Sequence, residues 1–151
     1  MRIIYRTDRS AGREDKEPFL WGVATSAFQL EGSPNADWTS WDEILSANPR
    51  LTNHYELYRQ DIALLTDLGV NAYRFSLEWS RIEPREGSWD DGALAHYREI
   101  VEILRRDRIE PMVTLHHFTH PLWFIKKYPW HEDASVGHFL RYVRKIVSSL
   151  G

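Results

Sequence analysis

The chain has 151 residues, of which 42% are hydrophobic and 27% charged, and its formal net charge is -3. These values favour one globular domain over a disordered chain, and the slightly acidic balance argues against nucleic-acid binding, which needs a basic face. The absence of cysteine excludes disulfides, thiolate catalysis and cysteine-bound metals.

No apolar run approaches the roughly 20 residues that a membrane helix needs, and the first residues lack the apolar segment of a signal peptide. A cytoplasmic location, with no membrane and no nucleic-acid partner, is therefore expected. Residues 1–17 are predicted to form a polar N-terminal arm with a short strand at 3–5. Residues 18–151 are predicted to form one domain.

Three short apolar segments are predicted as strands, at residues 19–25, 71–77 and 109–117, and the first of them is expected to be buried. Helices are predicted at residues 54–68, from Asp90 or Asp91 onward, and at about 134–149. Gly69 stands where a glycine commonly ends a helix. A brief helical turn is predicted around residues 41–45. The apolar stripes of the second and third helices are predicted at Leu94, Tyr97, Val101 and Leu104, and at Val136, Phe139, Leu140, Val143 and Ile146.

The order strand–loop–helix thus occurs three times, with long loops after the strands and short ones after the helices. This pattern predicts an α/β fold with parallel strands and outer helices, in which the loops after the strands carry the chemistry. A closed (β/α)8 barrel needs about 250 residues. The chain is therefore expected to supply the first three βα units of an incomplete TIM barrel.

The stretch VTLHHFTHPLWF, residues 113–124, contains His116, His117 and His120 at the end of the third predicted strand. Successive side chains of a strand point to opposite faces, so His116 and His117 are not expected to share a ligand. No other cluster of ligands is evident, so no metal site is predicted. His116 and His120 are expected to be packed or hydrogen-bonded loop residues.

Three glutamates, Glu31, Glu78 and Glu83, also lie near predicted strand ends. Two of them could form an acid/base pair, but solvated or ion-paired loop carboxylates are the favoured interpretation. Arg74 lies inside an apolar strand, where it must face solvent or a polar interior. A structural ion pair with Glu78 or Glu56 is one explanation of this arginine.

Three stretches together resemble the N-terminal part of glycoside hydrolase family 1, the β-glucosidase/β-galactosidase type. They are FLWGVATSAFQLEG at 19–32, HYELYRQDIALLTDLGVNAYRFSLEWSRIEP at 54–84, and EPMVTLHHFTHPLWF at 110–124. The resemblance implies a (β/α)8 barrel that hydrolyses β-linked glycosides with retention, by two glutamates about 5 Å apart. It implies no cofactor.

In the family, the acid/base lies in an Asn-Glu-Pro motif after the fourth strand and the nucleophile in a Glu-Asn-Gly motif after the seventh. Neither tripeptide occurs in this sequence. No catalytic residue is therefore expected in the chain, which is interpreted as an N-terminal fragment of a retaining β-glycosidase and is expected to be inactive alone.

The resemblance also implies roles for four residues. Gln29 and His117 would bind hydroxyls of a β-glycoside or monosaccharide, and Phe118, where many members have tryptophan, would stack on the sugar. Arg74 would approach the nucleophile and orient it. Gln29 without the resemblance would be interpreted as a loop-stabilising residue.

Two alternatives remain from the sequence. The chain could be a non-catalytic sugar-binding or self-assembling module, since a partial barrel exposes strand edges that invite pairing with another copy or with a complementing C-terminal fragment. A metal-dependent hydrolase that uses the histidines is the least favoured alternative.

Overall fold

The computed structural model describes residues 19–40 and 52–151. The predicted arm at 1–17, its strand at 3–5 and the helical turn at 41–45 lie outside the described residues. Within the described part the strands are β1 (Gly22–Ala24), β2 (Ala72–Ser76) and β3 (Glu110–Thr114). The helices there are α1 (Ala27–Glu31), α2 (His54–Asp67), α3 (Trp79–Ile82), α4 (Asp91–Arg106), α5 (Leu122–Lys127) and α6 (Asp133–Leu150), with a 3-10 helix at Asp37–Ser40.

The strands form a parallel sheet in the order β1-β2-β3, and Arg74 of β2 pairs in register with Ala24 and Met112. Tyr73 and Phe75 point to the helices and join the apolar core. The predicted strand–loop–helix repeats are confirmed. Because the strands are parallel, their carboxyl ends lie at one edge of the sheet, and the loops that follow them meet there.

The long helices begin and end as the sequence predicts. Asp90 caps α4, and its carboxylate accepts a hydrogen bond from the Ala93 N–H at 2.9 Å. Gly69 follows α2 with a φ of +71°, which glycine adopts without steric strain. The predicted stripe of α4 is buried throughout: Leu94, Tyr97, Val101 and Leu104.

The prediction that the first strand is buried is wrong. Phe19, Trp21 and Val23 are 72%, 69% and 37% exposed, and β1 has only three residues. An apolar run indicates a strand covered on both faces. In the described part of the chain, however, β1 pairs with β2 alone.

The predicted apolar stripe of the last helix is only partly correct. Val136 and Leu140 of α6 are 53% and 43% exposed, whereas Ile146 and the unpredicted Tyr142 are buried. The side of α6 that packs toward α4 is therefore narrower than the apolar stripe of its sequence. None of the described helices combines the length and apolarity that crossing a membrane requires.

Short elements account for the remaining differences. β3 ends at Thr114, so His116 and His117 lie in the loop after the strand, and the predicted strand at 109–117 is too long. The helices α1, α3 and α5 have five, four and six residues and were not predicted. A hydrophobic period of 3.6 residues cannot be recognised over so few positions.

Candidate functional site

The residues with predicted sugar contacts lie at the carboxyl edge of the sheet. Gln29 belongs to α1, directly after β1, and its exposed side chain accepts a hydrogen bond from the Ser26 hydroxyl at 2.5 Å. His117 and Phe118 lie in the loop that follows β3. The structure thus places these side chains on the segments that follow the first and third strands.

Aromatic rings connect these two loops. The ring of Phe118, which is 64% exposed, stacks on Trp38 with centroids 6.1 Å apart and an interplanar angle of 17°. Trp38 in turn meets Phe28 of α1 edge to face at 5.9 Å. The loop after β3 therefore lies beside the segment that carries Gln29.

Phe118 has an uncommon backbone conformation. Its φ is +68°, and the Thr119 N–H donates to the His117 carbonyl at 2.9 Å. A hydrogen bond between residues i and i+2 around a positive φ defines a γ-turn, which is strained for any residue other than glycine. The surrounding structure must therefore hold His117 and Phe118 in place.

Arg74 is exposed on the face of the sheet opposite the helices, in one row with Ala24 and Met112. The proposed ion pair with Glu78 or Glu56 is absent, because no carboxylate among residues 19–40 and 52–151 lies within 4 Å of this guanidinium. Arg74 therefore presents its charge on that open face.

The histidines separate into two groups. His117 meets the Phe118 ring edge to face at 4.9 Å. His116 instead stacks on Trp130 at 4.8 Å, and burial, followed by the neighbouring His120, lowers the pKa of His116 to about 4. His116 is thus a neutral packing residue at pH 7.

His120 is held by a carboxylate from the 3-10 helix. Its ring Nδ1–H donates to Asp37 Oδ2 at 3.1 Å, and its backbone N–H donates to Asp37 Oδ1 at 2.9 Å. These bonds join the loop after β3 to the loop after β1. The histidine is hydrogen-bonded, as the sequence predicted.

The described residues contain no group of three or more histidine, aspartate or glutamate side chains that could hold a metal ion. The rings of His116 and His120 are 4.8 Å apart, yet two imidazoles are fewer than the three or four protein ligands of a zinc site. The geometry gives no support to the metal-dependent alternative.

The interpretation of the three glutamates as solvated or ion-paired loop carboxylates is only partly correct, because none is solvated, whereas Glu31 and Glu83 pair with arginines. Glu31, Glu78 and Glu83 are 3%, 1% and 0% exposed. Glu31 accepts from the Tyr97 hydroxyl at 2.8 Å, and Arg81 lies 3.7 Å away. Burial, partly offset by that hydrogen bond, raises the pKa of Glu31 to about 8.

The other two carboxylates are equally enclosed. Burial raises the pKa of Glu78, although hydrogen bonds from Ser80 and Thr119 oppose this effect. Glu83 accepts from the Trp79 indole at 2.9 Å and pairs with Arg141. A glycosidase acid/base must touch its substrate, so these buried groups do not support a catalytic pair.

The sequence did not indicate the part that several residues play at this edge. Trp38 and Asp37 lie in a 3-10 helix too short for a periodic pattern, and Thr119 acts through one hydroxyl group. Tyr97 was predicted only as an apolar residue of a helix, yet its hydroxyl bonds Glu31. A capping pattern could have indicated Glu78, whose carboxylate accepts from the backbone N–H of Ser80 two residues later.

Comparisons with known proteins agree with this architecture. The family model described as "Glycosyl hydrolase family 1" matches residues 13–151. The chain is 33% identical to a 6-phospho-beta-galactosidase of Clostridium acetobutylicum over 144 residues, which is 89% of this chain and 30% of that protein. It is 34% identical to beta-glucosidase A of Thermotoga maritima over 148 residues, 89% of this chain and 33% of that protein.

A solved beta-glycosidase from Pyrococcus horikoshii superposes with a TM-score of 0.80 at 46% identity, covering 87% of this chain and 32% of that one. The chain therefore spans about a third of the length of these relatives. Its three βα units are part of a (β/α)8 barrel. With this fold and a match over residues 13–151, the chain belongs to glycosyl hydrolase family 1.

Proposed function

We propose that this chain supplies part of the glycone-binding site of a retaining β-glycosidase that hydrolyses β-linked glycosides. The observation that carries the proposal is the position of Gln29, His117 and Phe118, which lie on the segments that follow β1 and β3 at the carboxyl edge of the sheet. An amide and an imidazole can each bond sugar hydroxyls, and an exposed ring can stack on the apolar face of a sugar.

Arg74 completes this assignment. Its guanidinium is exposed on the open face of the sheet, which is the inner face of a barrel. A fixed cation beside the nucleophilic glutamate keeps that carboxylate ionised while the acid/base stays protonated. Arg74 is proposed to orient a nucleophile that comes from another part of the enzyme.

Both catalytic glutamates are proposed to lie outside these 151 residues, because the sequence contains neither Asn-Glu-Pro nor Glu-Asn-Gly. The relatives act on different sugars by their names, a 6-phospho-beta-galactosidase and a beta-glucosidase. The proposal therefore extends to β-glycosides as a class. A cytoplasmic location stays a prediction.

The proposal is tested by titrating the isotope-labelled chain with glucono-δ-lactone and with glucose, followed by NMR. Binding in the millimolar range is expected, with shifts at the Gln29 amide and the His117 imidazole. Gln29→Ala should weaken binding, whereas Gln60→Ala, at an exposed glutamine of α2, should not. An absence of shifts, or equal effects of the two variants, would refute the sugar-binding role.

Catalysis is tested separately with an aryl β-glucoside. We expect no turnover by the purified chain. Turnover that disappears in Glu31→Gln or Glu78→Gln would show that the chain carries its own catalytic carboxylates. That result would replace the fragment proposal with a self-sufficient enzyme.

The second candidate function is assembly with another chain, and exposed apolar side chains favour it. Trp21, Met112 and Leu140 are 69%, 52% and 43% exposed. In the described sheet, β1 and β3 each pair on one side only, so each offers an edge to a further strand. A second copy or a complementing C-terminal fragment would cover these surfaces.

Sedimentation over a range of concentrations tests this candidate. Association is expected, and Leu140→Lys should weaken it by placing a charge on the exposed face of α6. Ala95→Lys, at an exposed position of α4, is the matched control and should leave association unchanged. A monomer at all concentrations that unfolds cooperatively would contradict the assembly role.

A further inference from the structure

Glu78 connects two of its neighbours through separate carboxylate oxygens. Its Oε1 accepts from the Ser80 hydroxyl at 2.6 Å and from the Ser80 backbone N–H at 3.2 Å. Its Oε2 accepts from the Thr119 hydroxyl at 2.9 Å. Thr119 closes the γ-turn at Phe118, so Glu78 anchors the end of that strained turn.

The backbone of Glu78 contacts a third residue, Tyr97. Its N–H donates to the Tyr97 hydroxyl at 3.1 Å, and that hydroxyl donates to Glu31 Oε2 at 2.8 Å. A backbone N–H can only donate, so the Tyr97 oxygen accepts from Glu78 and the single proton of the phenol is left for Glu31. Glu31 is the last residue of α1 and follows Gln29 by two positions.

Arg81 fixes the same end of α1. Its Nη2 donates to the carbonyls of Glu31 and Gly32 at 2.9 and 2.7 Å, and its guanidinium lies 4.2 Å from the Tyr55 ring centre. The Ser80 hydroxyl, whose one proton goes to Glu78, accepts from the Ser33 hydroxyl at 2.7 Å. The segment after β2 therefore holds the segment after β1 through several hydrogen bonds.

We propose that Glu78 is a positioning residue for the sugar site, because it ties the turn that carries His117 to the helix that carries Gln29. The chain of bonds runs from Thr119 through Glu78 and Tyr97 to Glu31. A strained turn persists only where the surrounding structure holds it. Displacement of a binding group by about 1 Å is enough to impair recognition of a substrate.

This inference rests on the proposed sugar-binding role of Gln29 and His117, but its test does not need sugar. Thr119→Val removes one hydroxyl at constant shape, and Tyr97→Phe removes the other. The measured signals are the Gln29 side-chain amide and the His117 imidazole in NMR spectra of the free chain. Each variant is expected to move both signals, although only Thr119 belongs to the turn and only Tyr97 bonds to α1.

Tyr58→Phe is the matched control, because Tyr58 is also buried and its hydroxyl contacts Glu99, which is not part of the chain of bonds from Thr119 to Glu31. It should move neither signal. Thr119→Ser, which keeps the hydroxyl, should restore both. Glu78→Ala leaves several donors unpaired and can unfold the chain, so the two conservative variants carry the test.

The inference is overturned if Thr119→Val moves only His117 and Tyr97→Phe moves only Gln29. It is also overturned if the control moves both signals as strongly. Titration with glucono-δ-lactone tests the sugar-binding proposal independently of the positioning proposal. Coupled signals without binding would support the positioning role and refute the sugar role, whereas binding that Thr119→Val weakens several-fold would support both.

Discussion

The helix side of the sheet, meaning the layer between β2 and helices α2, α4 and α6, is filled by apolar side chains such as Phe75 and Leu104. The loop edge, meaning the segments that follow the strands, buries instead the carboxyl groups of Glu31, Glu78 and Glu83. Both regions exclude water. They do so with opposite chemistry, one with contacts that have no preferred direction and the other with hydrogen bonds that do.

The two regions therefore contribute differently to the stability of the fold and to the exact positions of its side chains. Apolar burial is roughly proportional to area and tolerates small shifts of the groups that make it. Hydrogen bonds to a buried carboxylate lose strength when their distance or angle changes, and a partner left unpaired is costly. We therefore infer that the helix side supplies most of the folding free energy, whereas the loop edge fixes the positions of the side chains that are proposed to bind sugar.

Among the substitutions that remove contacts, the largest expected effect is the loss of an apolar side chain on the helix side. Leu104 of α4 is fully buried, and Leu104→Ala should lower the free energy of unfolding by about 3 kcal/mol, because it removes buried methyl groups and leaves a cavity. Leu68→Ala, at a leucine that is 68% exposed, should change it by less than about 0.5 kcal/mol. Urea unfolding measures both, and equal losses would contradict the assignment of the core.

A smaller loss is expected at the loop edge for Glu83→Gln. Glu83 accepts from the Trp79 indole, from the Gly87 N–H at 2.8 Å and from Arg141, and an amide nitrogen in place of one oxygen would face a donor. The free energy of unfolding should fall by about 2 kcal/mol. Glu86→Gln is the control, since solvent can replace its bonds, and a loss as large there would show that burial is not the cause.

The helix side is also the region that the sequence predicts well. The stripe of α4 repeats with the helical period, its cap at Asp90 is a common helix start, and Gly69 marks the end of α2. These signals are local in the chain. They lead to the correct order of elements because parallel α/β units follow few topologies.

The loop edge could not be predicted in the same way. Hydrophobic patterns treat glutamate as exposed, yet Glu78 and Glu31 are buried because Thr119 and Tyr97, distant in the sequence, satisfy them. No sequence signal indicates a positive φ at Phe118, since aromatic residues rarely adopt one. The resemblance assigns roles to these loops, but only the folded chain shows how they are held.

Through Glu31, the loop edge should make the free energy of unfolding depend on pH, which distinguishes it from the apolar helix side. Its pKa is raised to about 8 in the folded chain, from its usual value of 4.5, because burial disfavours the charged form. Between these two pH values, the folded state binds a proton that the unfolded state has released. The stabilisation that this proton gives to the folded state is complete below pH 4.5 and is lost as the pH rises to about 8.

Glu31→Gln should remove that dependence. Its stability relative to the original chain should rise between pH 4.5 and about 8, by at most about 1.4 kcal/mol per pH unit, and then level off. Thermal and urea unfolding at several pH values measure the difference. If the difference in free energy of unfolding between the two chains is constant across this range, the Glu31 carboxyl group does not take up a proton when the chain folds.

The smallest expected effect concerns the γ-turn at Phe118, where the usual order of two substitutions should reverse. Alanine normally stabilises a chain relative to glycine, but a φ of +68° is strained for every residue with a Cβ atom. Both Phe118→Ala and Phe118→Gly lose the ring contact with Trp38, so their difference isolates the backbone. Phe118→Gly should be the more stable by about 1 kcal/mol in urea unfolding. If Phe118→Ala is the more stable, the turn is not strained, and the need for Glu78 to hold it disappears.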